Sequence, residues 1–314
     1  MAKYHFTTVV SQDHFFKLLA MISSLQRHAR DFKLFVACAH DVIWNILISI
    51  SFPDVVPVRL GEIEDQRLLV AKSRRSFHEY CWTLKPVFLH YIMTKYPEAQ
   101  YYAHLDADLF FFDSPENIFN ERPDATLFLT HHRNSRDFLE YYGKTGVFNT
   151  GFVGCKNEMT ALTAVTQWKE RCIAYCSVQE DHIRKLFGDQ RYVETWPDEF
   201  QGVYVVQSPG VNTALWNIPN YTVSLMDGKV MINDSVLTFY HFSGLVIISR
   251  QEFNLNWYYH IDDQIVLEHI YKPYVTALTQ AMKEMHQYFP WFQVGFIPKE
   301  YTPDTHYYRM EPLN

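Results

Sequence analysis

Two carboxylates, Asp106 and Asp108, interrupt the apolar run Tyr101-Tyr102-Ala103-His104-Leu105-Asp106-Ala107-Asp108-Leu109-Phe110-Phe111-Phe112. Such a run has strand character, and inside a sheet an unpaired charge is very costly. Along a strand, residues i and i+2 share a face. Two like charges that close raise a carboxyl pKa unless a cation lies between them. Oxygen donors suit a hard divalent ion, Mg2+ or Mn2+. The spacing therefore predicts a strand end that presents a metal to a phosphate-bearing ligand. The other reading is an Asp pair at an ordinary strand-to-turn junction, solvated or capping the next helix.

Other residues able to do chemistry lie on both sides of that run. Lys85 stands at the start of a predicted helix, within reach of an anion, or is a surface lysine. Asn149 is the one polar amide in the apolar strand around Val147-Phe148-Asn149-Thr150-Gly151, and Gly151 permits close backbone approach. Asp189 precedes Gln190 at a helix start and is read as its N-cap. His241 is a lone histidine on an apolar strand, a pattern that usually marks a satisfied core residue. His131 and His132 face opposite ways on a strand and make a poor joint metal site. Lys72, Arg74 and Arg75 form a basic cluster on a solvated helix or on a loop that closes over an anion.

The elements that must position these residues follow from periodicity. Residues 4–10, 33–39 and 55–60 read as strands, with helices from about residue 13 and over 42–50 between them. Phe15, Leu18, Leu19, Ile22 and Leu25 form the apolar face of the first helix. This β-α-β-α-β opening predicts a parallel sheet flanked by helices, with ligands beyond the carboxyl ends of the strands, beside Thr8 and Ser11. Neither a Gly-x-Gly-x-x-Gly nor a P-loop pattern occurs. A helix over 82–96 is expected to begin near Lys85-Pro86, with the proline in its first turn. Strands at 125–130, 147–154, 203–206 and 236–242 and a helix at 159–176 complete an α/β domain over residues 1–245. Residues 246–314 read as a helical extension, helical over 261–285 and broken at Pro273, with a Pro- and Tyr-rich tail over 298–314 that packs across the body or frays.

Composition narrows the classes. A chain of 314 residues buries a sizeable core, and a formal charge of −7 argues against nucleic acid as a partner. The five cysteines lie mostly in apolar runs, and Cys172 and Cys176, at i and i+4, lack a second Cys/His pair at zinc-finger spacing. Free thiols in a reducing compartment are expected. No secretory leader pattern opens the chain, and the longest apolar stretch, 42–52, is too short to span a bilayer. A soluble cytoplasmic protein without a transmembrane segment is expected, peripheral membrane association being left open.

In their order along the chain these pieces resemble the motifs of GT-A fold glycosyltransferases, most of all those of glycosyltransferase family 8. Leu105-Asp106-Ala107-Asp108 resembles the metal-binding Asp-x-Asp, and Phe148-Asn149-Thr150-Gly151-Phe152 the Phe-Asn-x-Gly strand beside the donor sugar. Asp189-Gln190 resembles the pair at the reaction centre, and His241-Phe242-Ser243-Gly244 the His-x-x-Gly that gives the metal its third protein ligand. The likeness covers about residues 4–245. Gly210 to Asn217 also resembles a Gly-x-Asn-x-Ala-x-Trp-Asn segment of uncharacterised bacterial proteins.

The resemblance implies a GT-A, Rossmann-like α/β fold with a mixed, mostly parallel sheet and metal-dependent transfer from a nucleotide-diphosphate sugar, first of all a UDP-sugar. It also implies a carbohydrate or glycoconjugate acceptor and transfer with retention. It further implies Mn2+ or Mg2+ on Asp106, Asp108 and His241. Thr8 and Ser11 would lie at the base and ribose, Lys85 near the donor, and Asn149, Asp189 and Gln190 at the donor sugar. The family's Lys-Pro-Trp after the His-x-x-Gly is absent; Leu245-Val246-Ile247-Ile248-Ser249-Arg250 stands there. Arg250 or the Lys72 to Arg75 cluster is the substitute cation to test. An inverting enzyme would need a base such as Asp198 or Glu199. A sugar-nucleotidyltransferase would carry an N-terminal Gly-rich loop, which residues 7–16 lack. A catalytically silent nucleotide-sugar binder is the alternative from another class.

Overall fold

The computed structural model describes residues 2–311; residues 312–314 of the expected tail lie outside the described residues. Contacts divide the chain into two compact units. The first comprises Met1–Ser11, Ala29–Asp106 and Glu116–Gln207; the second comprises Gln12–His28, Ala107–Pro115 and Ser208–Asn314. The division falls inside the Asp-x-Asp, between Asp106 and Ala107.

A seven-stranded sheet forms the first unit: β1 (Tyr4–Val10), β2 (Phe32–Cys38), β3 (Val55–Arg59), β4 (Tyr101–Leu105), β5 (Leu127–His131), β6 (Phe148–Lys156) and β7 (Val203–Val205). Its spatial order is β3-β2-β1-β4-β6-β5-β7, and only β6 runs antiparallel to its neighbours. The fold is thus α/β, with a mixed, largely parallel sheet flanked by helices, as the alternating opening predicts. β1 is buried along almost its whole length, the pattern of a central strand covered on both faces.

The helix carrying Lys85 corrects the sequence expectation. It spans Phe77–Lys95 and starts eight residues before Lys85, because Ser76 and Glu79 form a reciprocal capping box. Pro86 lies in the helix interior, not in the first turn. This helix packs against the Met159–Ala174 helix around Trp168, which is fully buried. The Trp168 indole donates to the Asp189 carbonyl at 2.8 Å and meets the Trp196 ring edge-on. The segment that carries Asp189 is thereby fixed to the core.

In the second unit, strands Leu109–Phe111, Phe239–His241 and Thr213–Ala214 form a small sheet. The Phe15–His28 helix packs on the Leu109–Phe111 strand and on the Lys272–Tyr288 helix of the C-terminal extension. Pro273 does not break the helical path as expected. A π turn over Leu267–Tyr271 leads straight into the Lys272–Tyr288 helix, whose first turn takes the proline. The tail is paired: Tyr307–Arg309 forms a strand against Glu252–Asn254. All five cysteines are free, four of them buried and Cys81 partly so.

His5 in β1 is fully buried, and burial holds its imidazole below the ordinary range against the pull of the Glu98 carboxylate 3.8 Å away. A lowered folded-state pKa means that the unfolded chain takes up the proton first as pH falls through about 6.5. Stability present above that pH is lost on acidification. His5→Phe is expected to flatten the decline in unfolding free energy between about pH 7.5 and 5.5 by up to about 1.4 kcal/mol per pH unit, read from urea melts. An unchanged slope would remove His5 from the linkage.

Candidate functional site

In the first unit the site is built on a bulge. β5 and β6 lose register between Leu129, opposite Val153, and Thr130, opposite Asn149, which leaves residues 150–152 unmatched by β5. They lean to the other neighbour: Phe152 pairs with Leu105 of β4, and the Gly151 carbonyl accepts the Asp106 N–H at 2.8 Å. Bulges re-aim side chains and recur beside functional sites. Here the Thr150 hydroxyl donates to the Asp189 carboxylate at 2.7 Å. The Asn149 Oδ1 accepts the Gly151 N–H at 3.1 Å, and its Nδ2 lies 3.3 Å from His132 Nε2.

Asp106 leaves the end of β4 into a group of charges. Lys85 Nζ lies 2.7 Å from Oδ1 and 2.9 Å from Oδ2 of Asp106, and 4.0 Å from Asp189 Oδ1. His104 Nε2 sits 3.1 Å from Asp106 Oδ1. Burial pushes the Asp189 carboxyl up, opposed by Lys85 and by the Thr150 hydrogen bond. Burial also pushes the His104 imidazole down, opposed by its hydrogen bond to Asp106. Asp189 occupies the N-cap position of the Gln190–Val193 turn, as expected, but its side chain makes no capping bond there and instead accepts from Thr150. Sequence reasoning missed His104, whose signal was the same i, i+2 alternation read between the two aspartates.

The remaining expected residues of this unit are placed as follows. Thr8 and Ser11 stand at the carboxyl end of β1, and the buried Thr8 Oγ1 has no hydrogen-bond partner among the described residues. Gln190 is half-buried and donates from its amide to the Thr145 carbonyl at 2.9 Å. Glu199 lies 3.4 Å from Arg171, and Asp198 is exposed on the same short helix. Lys72 pairs with Glu64 at 2.8 Å, and Arg75 donates to Thr83 and to the Ile173 carbonyl.

In the second unit Asp108 and His241 meet, with Oδ1 and Nε2 3.1 Å apart. Two backbone features set that distance: Leu109 pairs with His241, and the Phe242 N–H donates to the Asp108 carbonyl at 2.9 Å. The Gly210 to Asn217 segment clamps the histidine. Asn212 Oδ1 lies 3.4 Å from His241 Nδ1, and the Trp216 ring meets the imidazole edge-on at 5.2 Å. Asn217 ties the segment to itself, accepting from the Ala214 N–H and donating to the Asn212 carbonyl. Asn212 engages Nδ1, so Nε2 is the nitrogen that faces Asp108 and the one a metal would take once its proton has left. Arg250, the other expected substitute cation, is 2.8 Å from His286 Nδ1 and 3.1 Å from Gln293.

The two aspartates do not share one strand, as their spacing suggested. β4 ends at Leu105, and Leu109–Phe111 belongs to another sheet. Only Ala107 separates them along the chain, and Asp106, Asp108 and His241 offer one ligand atom each, all within 4.8 Å of one another. Two carboxylate oxygens and one imidazole nitrogen fit Mn2+ or Mg2+ with coordination positions to spare.

This α/β architecture resembles that of GT-A fold glycosyltransferases. The galactosyltransferase LgtC, solved with donor and acceptor sugar analogues, matches at a TM-score of 0.54 and 12% identity over 95% of this chain and 98% of that one. The bifunctional glycosyltransferase WbbM matches at a TM-score of 0.50 and 10% identity, over 91% of this chain and 51% of that one. At such identities the likeness defines the fold. No protein-family model matches the sequence. The chain belongs to the family of the uncharacterized proteins YfnD and YfnF of Bacillus subtilis (strain 168). It is 51% identical to YfnD over 311 residues (99% of this chain, 100% of YfnD), and 30% identical to YfnF over 304 residues (94% and 98%).

Gly210 carries the clamp through a close backbone approach. A Cβ there would lie 2.0 Å from the Val236 carbonyl oxygen, while one at Gly143 would meet nothing within 4 Å. Gly210→Ala is expected to lower stability by about 1–3 kcal/mol or more, because the obstacle is backbone that cannot rotate away. Gly143→Ala, in a short helix, is expected to be neutral or to gain about 0.5–1 kcal/mol. Thermal melts of both variants check the pair; equal melting temperatures would contradict the close approach.

Proposed function

We propose that this protein is a metal-dependent glycosyltransferase that moves a sugar from a nucleotide-diphosphate donor, a UDP-sugar in the first instance, to a carbohydrate or glycoconjugate acceptor. The observation that carries the proposal is the Asp108–His241 pair with Asp106 two residues before Asp108, a hard-ion donor set, on a fold that resembles GT-A glycosyltransferases. Asp106, Asp108 and His241 are proposed to hold Mn2+ or Mg2+. When bound there, the ion supplies Lewis-acid stabilisation of a departing diphosphate.

The chain's own residues do the rest in this proposal. Thr8 and Ser11, at the end of β1, receive the base and ribose; the unsatisfied Thr8 hydroxyl is a donor waiting for an acceptor. Lys85 holds the Asp106 carboxylate in place through both of its oxygens. Asn149 and Asp189, each fixed by a hydrogen bond from its neighbours, and Gln190 line the donor sugar. The bond between the anomeric carbon and the diphosphate oxygen breaks with its electron pair on the diphosphate. The acceptor hydroxyl oxygen then bonds to that carbon, and its proton leaves with the diphosphate. Positive charge grows on the sugar ring meanwhile, and oriented carboxylate and amide oxygens stabilise it without reorganising. Retention is the stereochemistry proposed. Glu199, the candidate base for inversion, has Arg171 as its partner at 3.4 Å.

Asp108→Asn keeps the size of the side chain but turns one acceptor oxygen into an amide donor and removes the charge a divalent ion needs. It is expected to reduce Mn2+-dependent hydrolysis of a nucleotide sugar, across a panel of donors, by about a hundredfold or more while the circular dichroism spectrum stays unchanged. Turnover equal to the unsubstituted protein at saturating Mn2+ would overturn the metal assignment.

A further inference from the structure

We infer that Lys17 is a ligand-binding cation of the proposed site, positioned to receive an oxygen of the donor's diphosphate beside Asp108. This rests on the glycosyl-transfer reading for the identity of the anion. It does not rest on it for the position of the lysine, which comes from geometry within the second unit.

Lysine is almost never enclosed by protein unless it is paired, because its ammonium normally reaches out to water. Lys17 is only 8% exposed, in a helix whose residues from Phe15 through Ile22 are all buried. It forms no hydrogen bond and no ion pair within 4 Å among the described residues. Its place along the fold is set by its own helix. Seven residues further on, on the same face, the Ser24 hydroxyl accepts the Phe111 N–H at 3.1 Å. The helix packs on the Leu109–Phe111 strand, which Asp108 immediately precedes. Burial presses the Lys17 ammonium toward its neutral form, and Asp108 is the charge that opposes this.

A second orphan points the same way. The Tyr274 hydroxyl, on the Lys272–Tyr288 helix packed against the Lys17 helix, is fully buried and has no hydrogen-bond partner among the described residues. The charge it feels is also that of Asp108. Its ring is held by a 3.8 Å stack on Phe242, the residue after His241. A little-exposed lysine on one helix and a buried hydroxyl on the helix packed against it, neither with a hydrogen-bond partner among the described residues, are donors awaiting an acceptor oxygen. A lysine serving the fold alone would have closed an ion pair with Asp108. That carboxylate instead engages His241.

The test is isothermal titration of the full-length protein in Mn2+ with UDP, GDP, CDP, ADP and TDP, and with the corresponding nucleosides. The diphosphate that binds the unsubstituted protein is then titrated into Lys17→Met, Lys17→Gln and Lys17→Arg. Losing one charge-assisted hydrogen bond is expected to raise the dissociation constant of the diphosphate about tenfold or more, with that of the nucleoside unchanged. Lys17→Arg is expected to recover part of the loss. Lys17→Gln decides the matter where the methionine variant does not fold. Diphosphate affinity within about twofold of the unsubstituted protein, or equal weakening of nucleoside and diphosphate, overturns the Lys17 assignment and leaves the glycosyl-transfer reading standing. No binding of any diphosphate to the unsubstituted protein sinks that reading and the assignment with it.

Discussion

An ion taken out of water has to be met by opposite charge or by hydrogen bonds, and residues 104–108 concentrate that constraint. The effective penalty is several kcal/mol per ion, and stripping one partner from a buried pair typically costs about 3–5 kcal/mol. Asp106 is met by Lys85 and His104, Asp189 by Thr150 and, more distantly, by Lys85, and Asp108 by His241. Each partner comes from a different element, so each element has to be where it is. The capping box that begins the Phe77–Lys95 helix delivers Lys85, and the three-residue bulge in β6 delivers Thr150. The Gly210 to Asn217 clamp delivers His241 in one orientation. A network of this kind contributes little net stability. Its value lies in holding the carboxylates in one arrangement before any ligand arrives.

Much of this frame was legible in the sequence. The opening strands and helices carry clean periods, so the parallel sheet and the position of Thr8 and Ser11 at a strand end followed directly. Two local conflicts hid the rest. Pro86 suggested a helix start, whereas the stronger signal was Ser76-x-x-Glu79, which begins ten residues upstream. A helix with a closed capping box tolerates an interior proline when its packed face, here around Trp168, supplies the stability. The Tyr101 to Phe112 run showed no glycine or proline to mark a change of sheet, so one strand was read where there are two. The small Ala107 is the only sign of the crossing.

The site residues divide along the same line. Asp106, Asp108, Asn149 and His241 stood out because each was a polar residue in an apolar setting, and Asp189 through the resemblance of Asp189-Gln190 to a known pair. His104 did not, because a histidine in an aromatic run looks like part of it. Gly210 to Asn217 carried no readable local logic, since its glycine answers to Val236 and its tryptophan to His241, both distant in the chain. Such positions are specified by tertiary contacts, and periodicity has no purchase on them.

The missing lysine after Gly244 has a structural cause as well. Val246 and Ile247 are buried in a strand that pairs with Glu252–Asn254, which in turn carries the C-terminal Tyr307–Arg309 strand. Gly244 itself accepts the Trp257 N–H at 3.0 Å, and a Cβ there would strike Leu215. A charged side chain in this stretch would have to be buried in a sheet that closes the extension. The segment is committed to holding the tail, so a cation for the proposed anionic ligand would have to come from another element of the same unit. The helix that opens that unit carries Lys17, and under the proposed function that lysine and the absent Lys-Pro-Trp are two halves of one rearrangement.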